Sequence, residues 1–134
     1  MSKPSIRVVA AALYDGTGRV LIAQRPAGKH MAGRWEFPGG KIAAGESEEQ
    51  ALARELEEEL GVQLRSGRPL MALEHEYDDY RVELAMWVVD GYDGEPRGLD
   101  GQSLKWVEPA VLLDEDMLEA DRPFIEALQR LGPR

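Results

Sequence analysis

The chain has 134 residues, 43% of them hydrophobic and 31% charged, no cysteine, and a formal charge of −9. That length suits a single domain over residues 1–134 with a core of its own, and the lack of cysteine excludes disulfides and thiolate metal sites, which fits a reducing, cytoplasmic setting. An acidic chain without a dense Lys/Arg stripe argues against a nucleic-acid polymer as partner, and the first apolar run is too short for a signal core or a membrane span.

Along the chain, "IRVVAAALY" (6–14) and "RVLIAQRP" (19–26) read as β-rich runs joined by "DGTG", a hairpin signal. "GRWEFPGG" (33–40) reads as a short strand stopped by Pro38 and a glycine pair. A helix is expected from Ser47 to Gly61: Ser47 and Gln50 have capping-box spacing, and Gly61 can supply a left-handed stop. "LMALEHEY" (70–77) and "RVELAMWVVDGY" (81–92) look like a second hairpin turning at Asp78–Asp79, and "SLKWVE" (103–108) like a further strand. "DRPFIEALQRL" (121–131) reads as a helix, with Asp121 as N-cap and Pro123 in the first turn. Strands and helices alternate irregularly, so a mixed sheet with helices packed on it is expected.

The acidity is local. Residues 46–59 hold seven glutamates and one arginine, so this stretch alone carries −6. Leu52, Leu56 and Leu60 recur every four residues and form the buried stripe. Glu55, Glu58 and Glu59 fall beside that stripe at spacings of three and four, where like charges repel by roughly 0.2–0.5 kcal/mol per pair. A solvated charged face is the ordinary meaning of such a run. Here Arg54 is the only base in the helix, so the three carboxylates are expected to go largely unneutralised, and a glycine-bearing loop, "FPGGKIAAGE", precedes them. Carboxylate oxygens at this density suit magnesium, which also takes water and substrate phosphates as ligands.

These residues resemble the Nudix box: Gly40, Glu46, Arg54, Glu55, Leu56, Glu58, Glu59, Gly61 and Val62 fill every specified position of its pattern. "LIAQRP", "WEFPGGK", "GEPRGLDGQ" and "ADRPFIEAL" are similar to segments of the MutT-like branch, which hydrolyses oxidised purine nucleoside triphosphates. The resemblance implies an α/β/α sandwich with a mixed β-sheet, the box (Gly40–Val62) forming loop–helix–loop. It implies magnesium as cofactor, with manganese able to substitute, and a small nucleoside triphosphate as partner of a monomer or weak dimer. By the same resemblance Glu55, Glu58, Glu59 and the Gly39 carbonyl hold metal, with Asp100 the added carboxylate from a distant loop. Arg54 and Glu46 orient them. Arg25, His30 and the segment Glu36, Phe37, Pro38 and Gly39 match substrate-contacting positions, Phe37 lining the base pocket.

For the proton abstracted from water, a carboxylate or a hydroxide on the metal will serve. Glu55 is the first choice among carboxylates and Asp100 the second. The branch implies attack at the β-phosphorus, giving a nucleoside monophosphate and pyrophosphate. Asp121 is expected to read the base as a neutral acid, because a protonated carboxyl offers one donor and one acceptor to the N7–H/O6 edge of an oxidised guanine. Cytosine satisfies the same group, so hydrolysis of CTP, dCTP or 5-methyl-dCTP is the alternative, and Asp121 acting only as a helix cap is the bland one. A non-catalytic nucleotide sensor is a third class, against which the complete carboxylate set argues.

Overall fold

An apolar run without polar alternation needs a hydrophobic partner on each face. The run 8–13 belongs to strand β1 (Ser5–Leu13), and it becomes the middle of the fold. The computed structural model describes residues 3–28 and 31–132. After β1 come β2 (Val20–Gln24), β3 (Trp35–Glu36), β4 (Gly39–Lys41), α1 (Glu48–Leu60), β5 (Gln63–Glu76), β6 (Arg81–Asp93), β7 (Leu104–Val107) and α2 (Arg122–Leu131). Short 3-10 turns at Pro109–Asp114 and Glu119–Asp121 lead into α2.

Strand β1 pairs antiparallel with β4 and parallel with β6, and β6 pairs antiparallel with β5, so the sheet β4-β1-β6-β5 is mixed. Its two faces follow the period of two. Val9, Ala11 and Leu13 of β1, with Ala85, Trp87 and Val89 of β6, pack on Leu52, Leu56 and Leu60 of α1. Ala10 and Ala12, with Met86 and Val88, pack on Phe124, Ile125 and Leu128 of α2. One helix on each face makes the expected α/β/α sandwich. The three α1 leucines are fully buried, and truncating any of them to alanine would cost about 2–5 kcal/mol. Among the described residues no helix is long and apolar enough to cross a membrane.

Three local expectations change. The runs 6–14 and 19–26 do not form a hairpin ladder: only Tyr14 bridges Val20, and β2 leaves to join a second, antiparallel sheet, β3-β2-β7. The turn is held instead by the Asp15 carboxylate, which accepts from the Thr17 and Arg19 amides at 2.7 and 3.2 Å, while β1 gains a full parallel register with β6. The glycine pair does not stop a strand but forms β4: a Cβ on Gly39 would collide with the Val9 carbonyl, so only glycine allows β4 this close to β1. Strand β5 begins at Gln63 rather than near Leu70, because irregular register near Ser66 and Pro69 lets Gly67 and Pro69 stay in the ladder.

Candidate active site

Helix α1 starts as expected. The Ser47 hydroxyl accepts from the Gln50 amide at 3.1 Å, the Gln50 side chain accepts from the Ser47 amide at 2.9 Å, and Gly61 closes the helix in the left-handed conformation. These caps fix the rotation of the helix, and with it the direction of its carboxylates.

Arg54 corrects the expectation of unneutralised glutamates. Its guanidinium forks onto Glu46 at 2.7 and 2.9 Å, reaches Glu55 at 2.9 Å and Glu58 at 3.3 Å, and donates to the Lys41 carbonyl at 3.0 Å. One planar fork with five N–H donors can serve several carboxylates, which helix spacing alone does not reveal. Hydrogen bonds from Arg54 and from the Ala43 amide hold Glu46 down at about 2, and the bonds to Glu46 and Glu55 keep Arg54 firmly charged. Arg54 and Glu46 thus form the orienting pair, tying box loop, β4 and helix together.

Glu59 is different. Burial first, then a hydrogen bond with Glu55 and the charges of Glu55, Glu36 and Asp100, raise its carboxyl to about 9. Glu55 on α1, Glu36 on β3 and Asp100 from the loop after β6 thus all act on Glu59. Glu58 stands apart: its side chain is exposed and held by Arg54. Among the described residues no three carboxylates are already spaced as metal ligands, so the set would close on a cation rather than wait preformed. A divalent cation fits the donor chemistry, since it would relieve the repulsion that raises Glu59. Gly40 makes room for the Glu55 carboxylate: a Cβ there would lie 2.5 and 2.6 Å from its oxygens. Gly39 fits as well. Ala11 N–H bonds the Pro38 carbonyl and Ile42 N–H the Arg7 carbonyl, so ladder alternation turns the Gly39 and Lys41 carbonyls away from β1, toward the side where Arg54 meets Lys41.

Asp100 reaches this group because its loop docks on the end of α1. The Arg97 amide donates to the Leu60 carbonyl at 3.0 Å and the Leu99 amide to the Glu59 carbonyl at 3.1 Å.

The predicted substrate residues divide. Arg25 donates to Glu36 at 3.1 Å, both half-buried. His30 lies outside the described residues. Pro38 is buried, with its carbonyl taken by Ala11. Phe37 is a correction: its ring is 3% exposed, edge-to-face with Phe124 at 4.7 Å, so it belongs to the core and cannot offer a face to a base. What Phe37 contributes is its backbone amide, which donates to Asp121. Asp121 stands at the N-cap position of α2 as expected, but its side chain makes no capping hydrogen bond there. It is 6% exposed, and burial, followed by the charge of Glu36, raises it to about 7 against the lowering pull of the Phe37 amide and Arg25.

Sequence reasoning missed a half-buried apolar strip of the mixed sheet. On the α2 side of the mixed sheet, Ile6 and Val8, Val82 and Leu84, and Leu73 of β5 are half-buried, with Leu84 packed against the core that holds Phe124, Ile125 and Leu128. Tyr77 borders it, its ring stacked on Tyr80 at 4.8 Å and edge-on to His75 at 4.6 Å, with Arg25 and Asp121 near enough for their charges to act on its phenol. Period-two alternation was the available signal; which strands lie side by side was not. A hollow of about 480 Å³ runs from Arg25 and Gly33 to Gly101 and Ser103, next to Asp100. Another, of about 410 Å³, lined by Arg7, Glu48, Glu74 and Glu83 on the α1 side, contains none of the predicted site residues.

A family profile described as NUDIX domain matches residues 4–128. The chain belongs to the Nudix family. It is similar to the 8-oxo-dGTP diphosphatase of Escherichia coli, 36% identical over 126 residues that cover 94% of this chain and 98% of that one. It is also 38% identical to the CTP pyrophosphohydrolase of the same organism, covering 92% and 91% of the two chains. A solved structure of MutT from Aliivibrio salmonicida and Vibrio cholerae superposes with a TM-score of 0.83 at 34% identity, covering 96% and 99%. This Nudix hydrolase is thus MutT-like in sequence and fold, and hydrolases of the family are generally dependent on divalent metal.

Proposed function

We propose that this Nudix hydrolase converts an oxidised purine nucleoside triphosphate, 8-oxo-dGTP foremost, to the nucleoside monophosphate and pyrophosphate with magnesium, keeping the damaged nucleotide out of DNA. The observation that carries the reading is the convergence of Glu36, Glu55, Glu59 and Asp100, with Glu59 raised to about 9 by burial and by its neighbours. Groups so strained by their own charge are suited to a cation and to a polyanion that follows it. Manganese can substitute, and the protein works as a monomer or weak dimer on free nucleotide in the cytoplasm.

Glu55, Glu58, Glu59, Asp100 and the Gly39 carbonyl would hold the metal, which when bound supplies neutralisation of the phosphate oxygens and of the leaving monophosphate. Arg54 keeps Glu55 aimed at the loop. Glu55 takes a proton from the attacking water as its oxygen bonds the β-phosphorus. The bond from that phosphorus to the α–β bridging oxygen breaks, and the bridging oxygen leaves with the monophosphate. Arg25, anchored by Glu36, lies between this centre and Asp121, where its charge can meet a phosphate. The base rests on the Ile6–Val82–Leu84 floor, and Asp121, kept neutral by burial, donates to O6 while its other oxygen accepts N7–H.

CTP, dCTP or 5-methyl-dCTP is the second reading, favoured by the similarity to a CTP pyrophosphohydrolase and by the equal fit of cytosine to a neutral acid. A panel of canonical and oxidised triphosphates with magnesium, compared by kcat/KM, separates them: 8-oxo-dGTP is expected to lead. A lead for cytidine nucleotides would transfer the assignment, and no hydrolysis of any would point to a sensor.

A further inference from the structure

We propose that Gln102 is a positioning residue of the hydrolytic centre, whose side-chain amide locks the Asp100 loop onto the end of α1 and so sets where Asp100 stands against Glu59. The proposal rests on the reading of Asp100 as a metal ligand.

The last turn of α1 has no basic residue, and Gly61 caps only the Leu56 and Glu57 carbonyls. The carbonyls of Glu59 and Leu60 therefore need partners from elsewhere, and the loop 97–102 supplies them. Two of those bonds are backbone. The third is the Gln102 side chain, whose Nε2 donates to the Glu59 carbonyl at 3.3 Å. The other end of the same amide, Oε1, accepts from the Asp100 amide at 2.9 Å. An amide is suited to this task because it carries donor and acceptor at opposite corners, so one rigid group measures the gap between the two backbones. Around it the turn is tight. Gly101 N–H closes onto the Gly98 carbonyl at 3.0 Å, and a Cβ on Gly98 would collide with the Gln102 carbonyl. The loop is thereby fixed from both sides, and the exposed Asp100 side chain has a defined base from which to reach the charge of Glu59.

Three variants of the full chain test this: Gln102→Ala, Asp100→Ala and the double variant, with Gln102→Met as a volume-preserving check that both hydrogen bonds, not bulk, matter. In metal-free protein, amide hydrogen exchange at Asp100 and Leu99 is expected to quicken in both Gln102 variants. Manganese titrated into substrate-free protein is expected to bind about 10-fold more weakly to Gln102→Ala, the usual effect of losing a group that orients a ligand. In the Asp100→Ala background the same Gln102 substitution should weaken binding no further. Equal losses in both backgrounds would overturn the proposal, as would unchanged manganese binding in Gln102→Ala with only a lowered unfolding temperature. If Asp100→Ala alone binds manganese like the parent, the ligand reading of Asp100 has failed, and the positioning role falls with it.

Discussion

The two ends of the site hold acids in opposite ways. At the proposed metal end several carboxylates crowd onto one helix and its facing loops, partly exposed and partly tied by Arg54. At the base end a single carboxyl, Asp121, is buried among apolar side chains and raised to about 7. Burial is the largest cause at both ends, and Glu36 adds its charge to both. The difference is in what relieves the cost. A crowd of half-exposed acids can be relieved by a cation, and the raised carboxyl of Glu59 shows that there is repulsion to relieve. A lone buried acid is relieved by keeping its proton, which turns it from a charge into a hydrogen-bonding template. In the proposed function one end binds charge and the other reads a shape.

The comparison breaks first if the metal end does not carry the chemistry. Glu59→Gln is expected to lower kcat at saturating magnesium by roughly 100-fold or more with the fold intact, as for loss of a group that stabilises transition-state charge. Glu58→Gln should lower it too, although Glu58 is exposed and tied to Arg54. Without metal, Glu59→Gln should be no less stable than the parent, because the raised carboxyl of Glu59 costs stability that glutamine does not. Near-parental turnover by both variants would remove Glu58 and Glu59 from the site.

The base end is sharpened by Asp121. Asp121→Asn should keep most activity on 8-oxo-dGTP, since the amide also offers a donor and an acceptor, while Asp121→Ala should lose about 2–3 kcal/mol of discrimination between bases, read from kcat/KM ratios. A full preference retained by the alanine variant would leave Asp121 structural. Its protonation makes a separate claim. The folded value of about 7 lies above the ordinary 3.8, so the folded protein holds a proton that the unfolded chain releases. That costs nothing below the ordinary value, grows as pH rises toward 7, and stays constant above it. Asp121→Asn should therefore match the parent in urea at about pH 4 and gain up to roughly 4 kcal/mol at about pH 8. An equal change at both would mean that the carboxyl is not neutral when folded.

Tyr14 supplies the smallest effect and the contrast to Asp121. It is as buried as Asp121, and its hydroxyl has no hydrogen-bond partner among the described residues. With no ligand to read, the group is only a cost, so Tyr14→Phe should leave kcat/KM unchanged and stability equal or higher by up to about 1 kcal/mol in thermal unfolding. A lower stability would mean that the hydroxyl does find a partner.

How much was legible in the sequence follows the same division. Ser47, Gln50, Gly61 and the Leu52–Leu56–Leu60 stripe act within a few turns of one helix, so spacing alone predicted the caps, the buried face and the neighbouring carboxylates. The hold of Arg54 on Glu55 and Glu58 depends on rotamers, which spacing does not determine. The floor of Ile6, Val8, Val82 and Leu84 needs the parallel register of β1 on β6, a pairing between residues far apart in the chain. For the same reason β2 was read as the hairpin partner of β1, although the two strands separate into different sheets. Asp121 had both its roles in view from the sequence. The missing capping bond and the burial are what the structure adds, and base reading remains the proposal.

Hydrolysis of 8-oxo-dGTP in oxygen-18 water with magnesium, the products resolved by mass, tests the central claim most directly. Attack at the β-phosphorus by this carboxylate centre predicts label in pyrophosphate and none in the monophosphate. Label in the monophosphate, or release of labelled orthophosphate, would contradict it.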